Sequence, residues 1–485
     1  MKISCLEDDS QPSLLAGIDW YDGSEGYMDI NSPALAICYE NGRCQLMRTE
    51  LDENPILIDT GIKASKVKWN AQGTVLAICG SQEIEGKGVS VVQFYNPYGI
   101  HLKTLKIPGS SVTGITWEGT GLRLALAVDS FVFFANVRPD YKWGWFNKHS
   151  LVYSFTKLDR PEHCVIFWNS KTDDKHVKYI KRLVAIRASG ENCILITKSD
   201  YMQQNPDRKY ILIVCNSIGS PIETKYLSIE PLHVTMTPTH VIVASESNVY
   251  IWQHKRKNVS NILNDIKKDE SEYAFHIDDN VARPFKGKFK ETESSDAICA
   301  VCATEKHLLV SRESGTVFQY TMPSLVLVDR FVLKCRPQAL AINCDSSRLS
   351  VIDMNGIFSL YKLNTASDRK SRLMSNEVES MDVERKEVWD MIWSEDNPEL
   401  FAIMEKTKLY TFRNTLPEEP KPSSAYLCGF NNLKIRSVLL DEIMLDPDRP
   451  SKDNIETHET RSLRDTKKII SSVSLDDAFV FVKDN

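Results

Sequence analysis

A tryptophan recurs along the first third of the chain with the same neighbours each time. Residues 66–80 read KVKWNAQGTVLAICG and residues 114–128 read GITWEGTGLRLALAV. From Trp69, glycine follows four residues on (Gly73) and Leu-Ala at seven and eight (Leu76, Ala77). From Trp117, Gly121, Leu124 and Ala125 hold the same offsets. Trp20, in GIDWYDGSEGY, opens a further copy that continues after an insertion as PALAICYENGRCQLMR. The three tryptophans are spaced 49 and 48 residues apart. A repeat of this length points to one supersecondary unit stacked on its neighbours, because a single unit cannot bury its own apolar faces.

Each unit reads as strand, tight turn, strand. Leu35-Ala36-Ile37-Cys38 and RCQLM (43–47) flank Asn41-Gly42, a type I′ hairpin signal because both central residues need positive φ. Asn355-Gly356 repeats the device, and Ser314-Gly315 is a weaker version. Before residue 430 no stretch holds a clear 3.6-residue pattern. Short strands at a period a little over ~40 residues predict four-stranded propeller blades, with the tryptophans wedged between neighbours.

The pattern changes near residue 145, and YKWGW (141–145) reads as a junction. Strand pairs continue at 164–168, 183–197, 209–215, 240–252, 297–320, 339–363 and 388–412. The polar stretch 255–296 reads as a long, mobile inter-strand insertion. Residues 148–432 suffice for six or seven blades at ~40–45 residues each, enough to close a ring. In LKIRSVLLDEIML (433–445), Ile435, Leu439 and Ile443 share one helical face, and Pro447 and Pro450 end it. A second helix is expected over 455–470, and a third from Ser474, with Asp477 three residues on.

The expected fold is therefore mainly β: tandem WD-type β-propellers, the first partial, followed by the start of an α-solenoid. Residues 1–145 would be about the last three blades of a first propeller. Residues 146–432 would be a second propeller with the polar insertion near 255–296. Residues 433–485 would start a tetratricopeptide-like helical solenoid. Three blades do not close a ring, so the sequence reads as a fragment with Met1 internal to a longer chain. Such a half-propeller is expected to expose an unpaired blade face.

Motifs for chemistry fail on detail. The loop from Gly80 to Gly86-Lys87-Gly88 has the wrong spacing for a phosphate loop, lacks the following Ser/Thr, and leads into a strand. Cys299-Ala-Val-Cys302 has no second pair, and in a strand positions i and i+3 face opposite ways. His458-Glu459 lacks the second histidine of HExxH, and no GxSxG occurs. Asn258-Val259-Ser260 is a sequon without a secretory signal. Trp389-Asp390 is a literal WD dipeptide that sits ahead of an inner strand, where it reads as accidental. No catalytic, cofactor-binding or metal residue is assigned, no cofactor is expected, binding residues stay unassigned, and an enzyme is disfavoured.

Net charge is -6, from 59 basic and 65 acidic residues, which argues against nucleic acid as a partner. The small clusters Lys255-Arg256-Lys257 and Lys286, Lys288, Lys290 read as solvated loop charge. No apolar run approaches the ~18 residues of a transmembrane segment. Twelve cysteines are too sparse for a disulfide scaffold and read as reduced thiols.

Several long blocks go beyond generic blade pattern: GIDWYDGSEGY, PALAICYENGRCQLMR, NPILIDTG, LALAVDSFVFFANVRPDYKWG, VWDMIWSEDNPELFAIMEKTKLYTFRN and SLRDTKKII. They resemble the WD repeat-containing protein 35 family, the coat-protein-like WD-repeat subunits of the intraflagellar transport A complex. The resemblance runs from about Lys2 to Asn485. It implies two propellers followed by a helical solenoid, and a non-enzymatic scaffold in retrograde ciliary transport, cilium assembly and delivery of membrane proteins to cilia. The implied partners are the other subunits of that complex, intraflagellar transport trains and ciliary membrane cargo. The implied location is the cilium, at axoneme and basal body, and the cytoplasm. The family offers no catalytic residues to carry over. The alternative is a vesicle-coat-like propeller–solenoid subunit in non-ciliary membrane trafficking, which shares the architecture.

Overall fold

The computed structural model describes residues 14–21, 32–84, 87–119, 121–138, 140–157, 160–199, 208–255, 271–279, 281–285, 287, 289, 295–363 and 378–460. Among these residues the strands form ten sheets, numbered here as blades in chain order. The chain divides into two compact units, one of residues 1–140 and 156–163, the other of residues 141–155 and 164–485.

Unit 1 holds blades 1 to 3. Blade 1 is Leu15–Trp20, Leu35–Tyr39, Arg43–Met47 and Ile56–Asp59. Blade 2 is Lys63–Trp69, Leu76–Ile84, Lys87–Tyr95 and His101–Lys106. Blade 3 has three described strands, Val112–Trp117, Arg123–Val128 and Phe131–Asn136. Each first strand packs on the first strand of the next blade. The repeated glycine now has a physical reason. Gly73 and Gly121 sit at φ +64° and +70°, and a Cβ there would fall 2.5 Å from the Tyr21 ring and 2.0 Å from Gln72 Oε1, both on the preceding blade. The repeated leucines, Leu76 and Leu124, are fully buried.

Trp69 is buried between blades 1 and 2, as expected of a wedge. Trp117 packs between blades 2 and 3 and donates Nε1–H to Lys68 O at 3.2 Å. Trp20 departs from the expectation: it is 55% exposed, on an inner strand whose far side no described strand of unit 1 covers. The hairpin forms at Asn41-Gly42 but not as the expected type I′ turn: Gly42 alone has positive φ, +87°, and its N–H bonds Tyr39 O at 2.9 Å, which leaves a three-residue loop, 40–42. Cys38 and Cys44 face each other on that hairpin as a disulfide, against the reading of reduced thiols, while the other described cysteines are in no disulfide.

Unit 2 holds blades 4 to 10, over 143–180, 183–227, 233–284, 298–332, 337–385, 388–422 and 426–459. Their inner strands are Trp143–Phe146, Leu183–Ser189, His233–Met236, Ile298–Ala303, Pro337–Ile342, Val388–Trp393 and Tyr426–Asn431. Each packs on the next, and Tyr426–Asn431 packs back on Trp143–Phe146, so the ring closes within the unit. An apolar cluster fills each junction.

Two expectations are corrected here. The segment 433–445 is no solenoid helix. Lys434–Val438 is the second strand of blade 10, Leu440–Ile443 is a single helical turn, and Ile455–Glu459 is the third strand. The helical spacing of apolar residues arose because a strand whose last two residues, Ser437 and Val438, are both buried runs straight into one helical turn. Val438, Leu440 and Ile443 pack against Leu151, Tyr153, Ile166 and Trp168 of blade 4. Tyr153 Oη donates to Pro447 O at 2.7 Å and Tyr141 Oη to Asp441 at 2.8 Å. The ring therefore needs residues to 459, beyond the expected end at 432. Among the described residues there is no helical solenoid; most of the second expected helix and all of the third lie outside them.

The stretch 255–296 is also more than a loop. Glu272–His276 is the fourth strand of blade 6, pairing with Asn248–Gln253. Tyr250 Oη and Lys225 Nζ both donate to Glu272, at 2.7 and 2.6 Å. Residues 256–270 lie outside the described residues.

Candidate interaction surface

The inner strands of the ring are cross-linked by side chains that reach the backbone of the next blade. Arg187 Nε donates to Val234 O at 3.2 Å, and His233 Nε2 donates to Ile298 O at 3.1 Å. Burial holds His233 below the ordinary imidazole range, so the ring stays neutral and its Nε2–H is committed to the next blade. Asp390 accepts the N–H of Leu427 at 2.8 Å. The aspartate of Trp389-Asp390 is thus an inter-blade link, and the dipeptide lies within the inner strand Val388–Trp393. Asp19 plays the same part in unit 1, accepting from Trp69 N–H at 2.7 Å and Lys68 Nζ at 2.6 Å.

A cavity of about 310 Å³ lies at one end of the ring, between blades 6, 7 and 8, with the linked pair His233 and Ile298 in its lining. Its lining comes from the starts of inner strands and from the turns after the second strands. Arg336 pairs with Glu313, Glu246 stands on the next turn, and Leu232 and Met354 form an exposed apolar rim. Cys299 lines the wall with Sγ 3.5 Å from Ser311 Oγ, and burial raises its thiol pKa, which keeps it protonated. A charged pair beside an apolar rim suits recognition of another surface. Nothing local in the sequence marked Glu246, Glu313, Arg336 or Met354, because three blades contribute them.

The motifs set aside in the sequence fall elsewhere. Cys302 packs in the core between blades 7 and 8, where burial pushes its thiol up to about 11. Cys299 and Cys302 therefore form no ligand pair. The glycine loop is the hairpin between Leu76–Ile84 and Lys87–Tyr95, and a Cβ on Gly80 would lie 2.3 Å from Lys63 O. His458 lies in the last strand, Nε2 3.1 Å from Glu456. Lys255 pairs with Glu191 at 2.9 Å. Arg256, Lys257, Asn258, Lys286, Lys288 and Lys290 lie outside the described residues. Among the described residues, no three His, Cys, Asp or Glu side chains stand together as a metal site, and no helix is long and apolar enough to cross a membrane.

Comparison with known proteins agrees with this division. Residues 143–459 match the family model described as WDR35 second beta-propeller, and residues 1–138 match the one described as WDR35/TULP4 N-terminal. The first match ends at the last residue of the ring's final strand. WD repeat-containing protein 35 of Rattus norvegicus is 46% identical over 497 residues, and that of Homo sapiens is 45% identical over 504. Both alignments take in 100% of this chain and 42% of the relative, so the chain spans less than half the length of the curated relatives it matches. Among solved structures, Hsv2 of Kluyvelomyces marxianus is similar at 9% identity with a TM-score of 0.38, over 66% of this chain and 96% of that one. The blade repeat, the two units and the whole-length match agree, and the chain belongs to the WD repeat-containing protein 35 family.

Proposed function

We propose that the chain acts as a non-enzymatic scaffold subunit of the intraflagellar transport A complex, in retrograde ciliary transport, cilium assembly and delivery of membrane proteins to cilia. The observation that carries this reading is the match to the family along the whole chain, at 46% identity. The cavity at the ring's end supports it, since its charged pair and apolar rim offer contact chemistry. The partners in this reading are the other subunits of that complex, transport trains and ciliary membrane cargo. The location is the cilium, at axoneme and basal body, and the cytoplasm.

The test is affinity purification of the tagged protein from ciliated cells, with loss of retrograde movement on depletion. Recovery of the other subunits of the complex is the expected result. Recovery of vesicle-coat subunits alone would move the assignment to non-ciliary trafficking.

A further inference from the structure

The outer strand of blade 4, Lys175–Ile180, ends its sheet, and no other described strand pairs with its outer edge. Its surroundings are basic: residues 171–182 hold five Lys or Arg against Asp173 and Asp174. Lys175, His176, Lys181 and Arg182 are exposed, and among the described residues none of them is in an ion pair. At period two, Lys175, Val177 and Tyr179 fall on one side of the strand, and Lys181 follows in the turn just past its end. Val177 and Tyr179 are 48% and 47% exposed, so two apolar side chains stand between two cations. On the opposite side, Ile180 packs into the core between blades 4 and 5.

Other outer strands of the ring lack this pattern. Pro221–Leu227 opens on a proline, and its Lys225 is paired with Glu272. Leu327–Val332 balances Asp329 with Arg330, and Glu379–Arg385 is acidic. A lysine-rich edge protects a sheet by repelling basic or purely apolar strands. It does not repel an acidic one, and repulsion of every class but one is selectivity for that class. The free backbone groups supply the hydrogen bonds of strand addition.

We propose that the outer edge of Lys175–Ile180 is a docking edge for an extended acidic segment of a partner protein, which joins blade 4 as a fifth strand. Carboxylates meet Lys175 on the strand and Lys181 in the turn beyond its end, and apolar residues between them cover Val177 and Tyr179. The inference stands on the edge itself and does not depend on the complex named above.

The test uses the purified full chain and a blocked, fluorescent peptide alternating Glu and Val. A Lys/Val peptide and a backbone N-methylated Glu/Val peptide serve as controls. Anisotropy reads affinity, and hydrogen exchange reads protection of the 171–182 amides. The Glu/Val peptide is expected to bind and protect those amides, and the controls to fail. The double variant Lys175→Glu, Lys181→Glu changes two exposed side chains and is expected to keep its circular dichroism. It should weaken binding at least about tenfold and gain affinity for the Lys/Val peptide. Binding without protection, equal binding of the N-methylated peptide, or an unchanged affinity in the double variant would overturn the proposal. So would protection of the same amides by phosphatidylserine vesicles but not by the peptide, which would make the edge a membrane contact.

Discussion

Single polar residues decide how well one blade holds the next. Asp390 accepts the Leu427 N–H from the next blade, a charge-assisted bond. Asp390→Ala leaves that amide without its acceptor and is expected to cost about 1.5–3 kcal/mol. Native-state hydrogen exchange at Leu427 checks it, since the amide should exchange faster while those of blades 5 and 6 stay unchanged. Trp393 is buried and donates Nε1–H to Ser350 Oγ at 2.9 Å. Trp393→Ala should cost about 3–5 kcal/mol, and Trp393→Phe much less, as read from urea midpoints. Asp129 sets a pH dependence. Hydrogen bonds from Ser110 N–H and Oγ, then from Ser111, hold its carboxyl down at about 2. An ordinary aspartate titrates near 3.9, so this residue's stabilisation is fully present above about pH 4 and is lost as pH falls through about 2. Asp129→Asn should flatten the acid limb of unit 1 unfolding in that window, and an NMR titration of the side chain should give the low midpoint.

At the scale of strands and turns, the sequence was legible where one residue type has one local job. Asn41-Gly42 announced its hairpin because only glycine tolerates its φ of +87° there. A Cβ at Gly42 would also lie 2.3 Å from Ile62 O of blade 2. Gly42→Ala is expected to destabilise by about 1–3 kcal/mol, measured as a lower thermal midpoint. The sequence misled where an element is buried on both faces. Ile435 and Val438 point to opposite sides of one strand, yet both are fully buried. Only the strand's last residues, Ser437 and Val438, are buried on both sides; its period of two fades there, and the short helix Leu440–Ile443 supplies the rest of a helical pattern. Glu272–His276 was hidden for the opposite reason, because polar residues on either side masked the inward Phe275.

For the whole molecule, the closing contact is the decisive one. Tyr153, Trp168, Val438 and Ile443 are brought together from the two ends of unit 2. A chain ended after residue 432 lacks blade 10's second and third strands and should lose the cooperative melt of the ring. A chain ended after 460 should keep it. Circular dichroism melts of the two distinguish these outcomes. Unit 1 keeps apolar side chains on its surface: Ile18 and Trp20 on its first strand, Val132 and Phe134 on its last, each more than half exposed. Exposed apolar groups of this kind favour association. Phe134→Lys should lower light scattering on concentration without lowering the melting temperature.

The sequence by itself determined the blade. Its tryptophan, glycine and Leu-Ala offsets are local demands for a wedge, a left-handed turn that admits the preceding blade's side chain, and a buried second strand. It also carried the family, because the matching blocks are long and run the length of the chain. The tertiary structure alone decided how many blades unit 2 closes, where its ring ends, and which residues line the cavity at its mouth. Ring closure is a contact between residues nearly three hundred positions apart, and the cavity is shared by three blades. Neither leaves a local pattern, since each residue's neighbours in sequence are not its neighbours in the site.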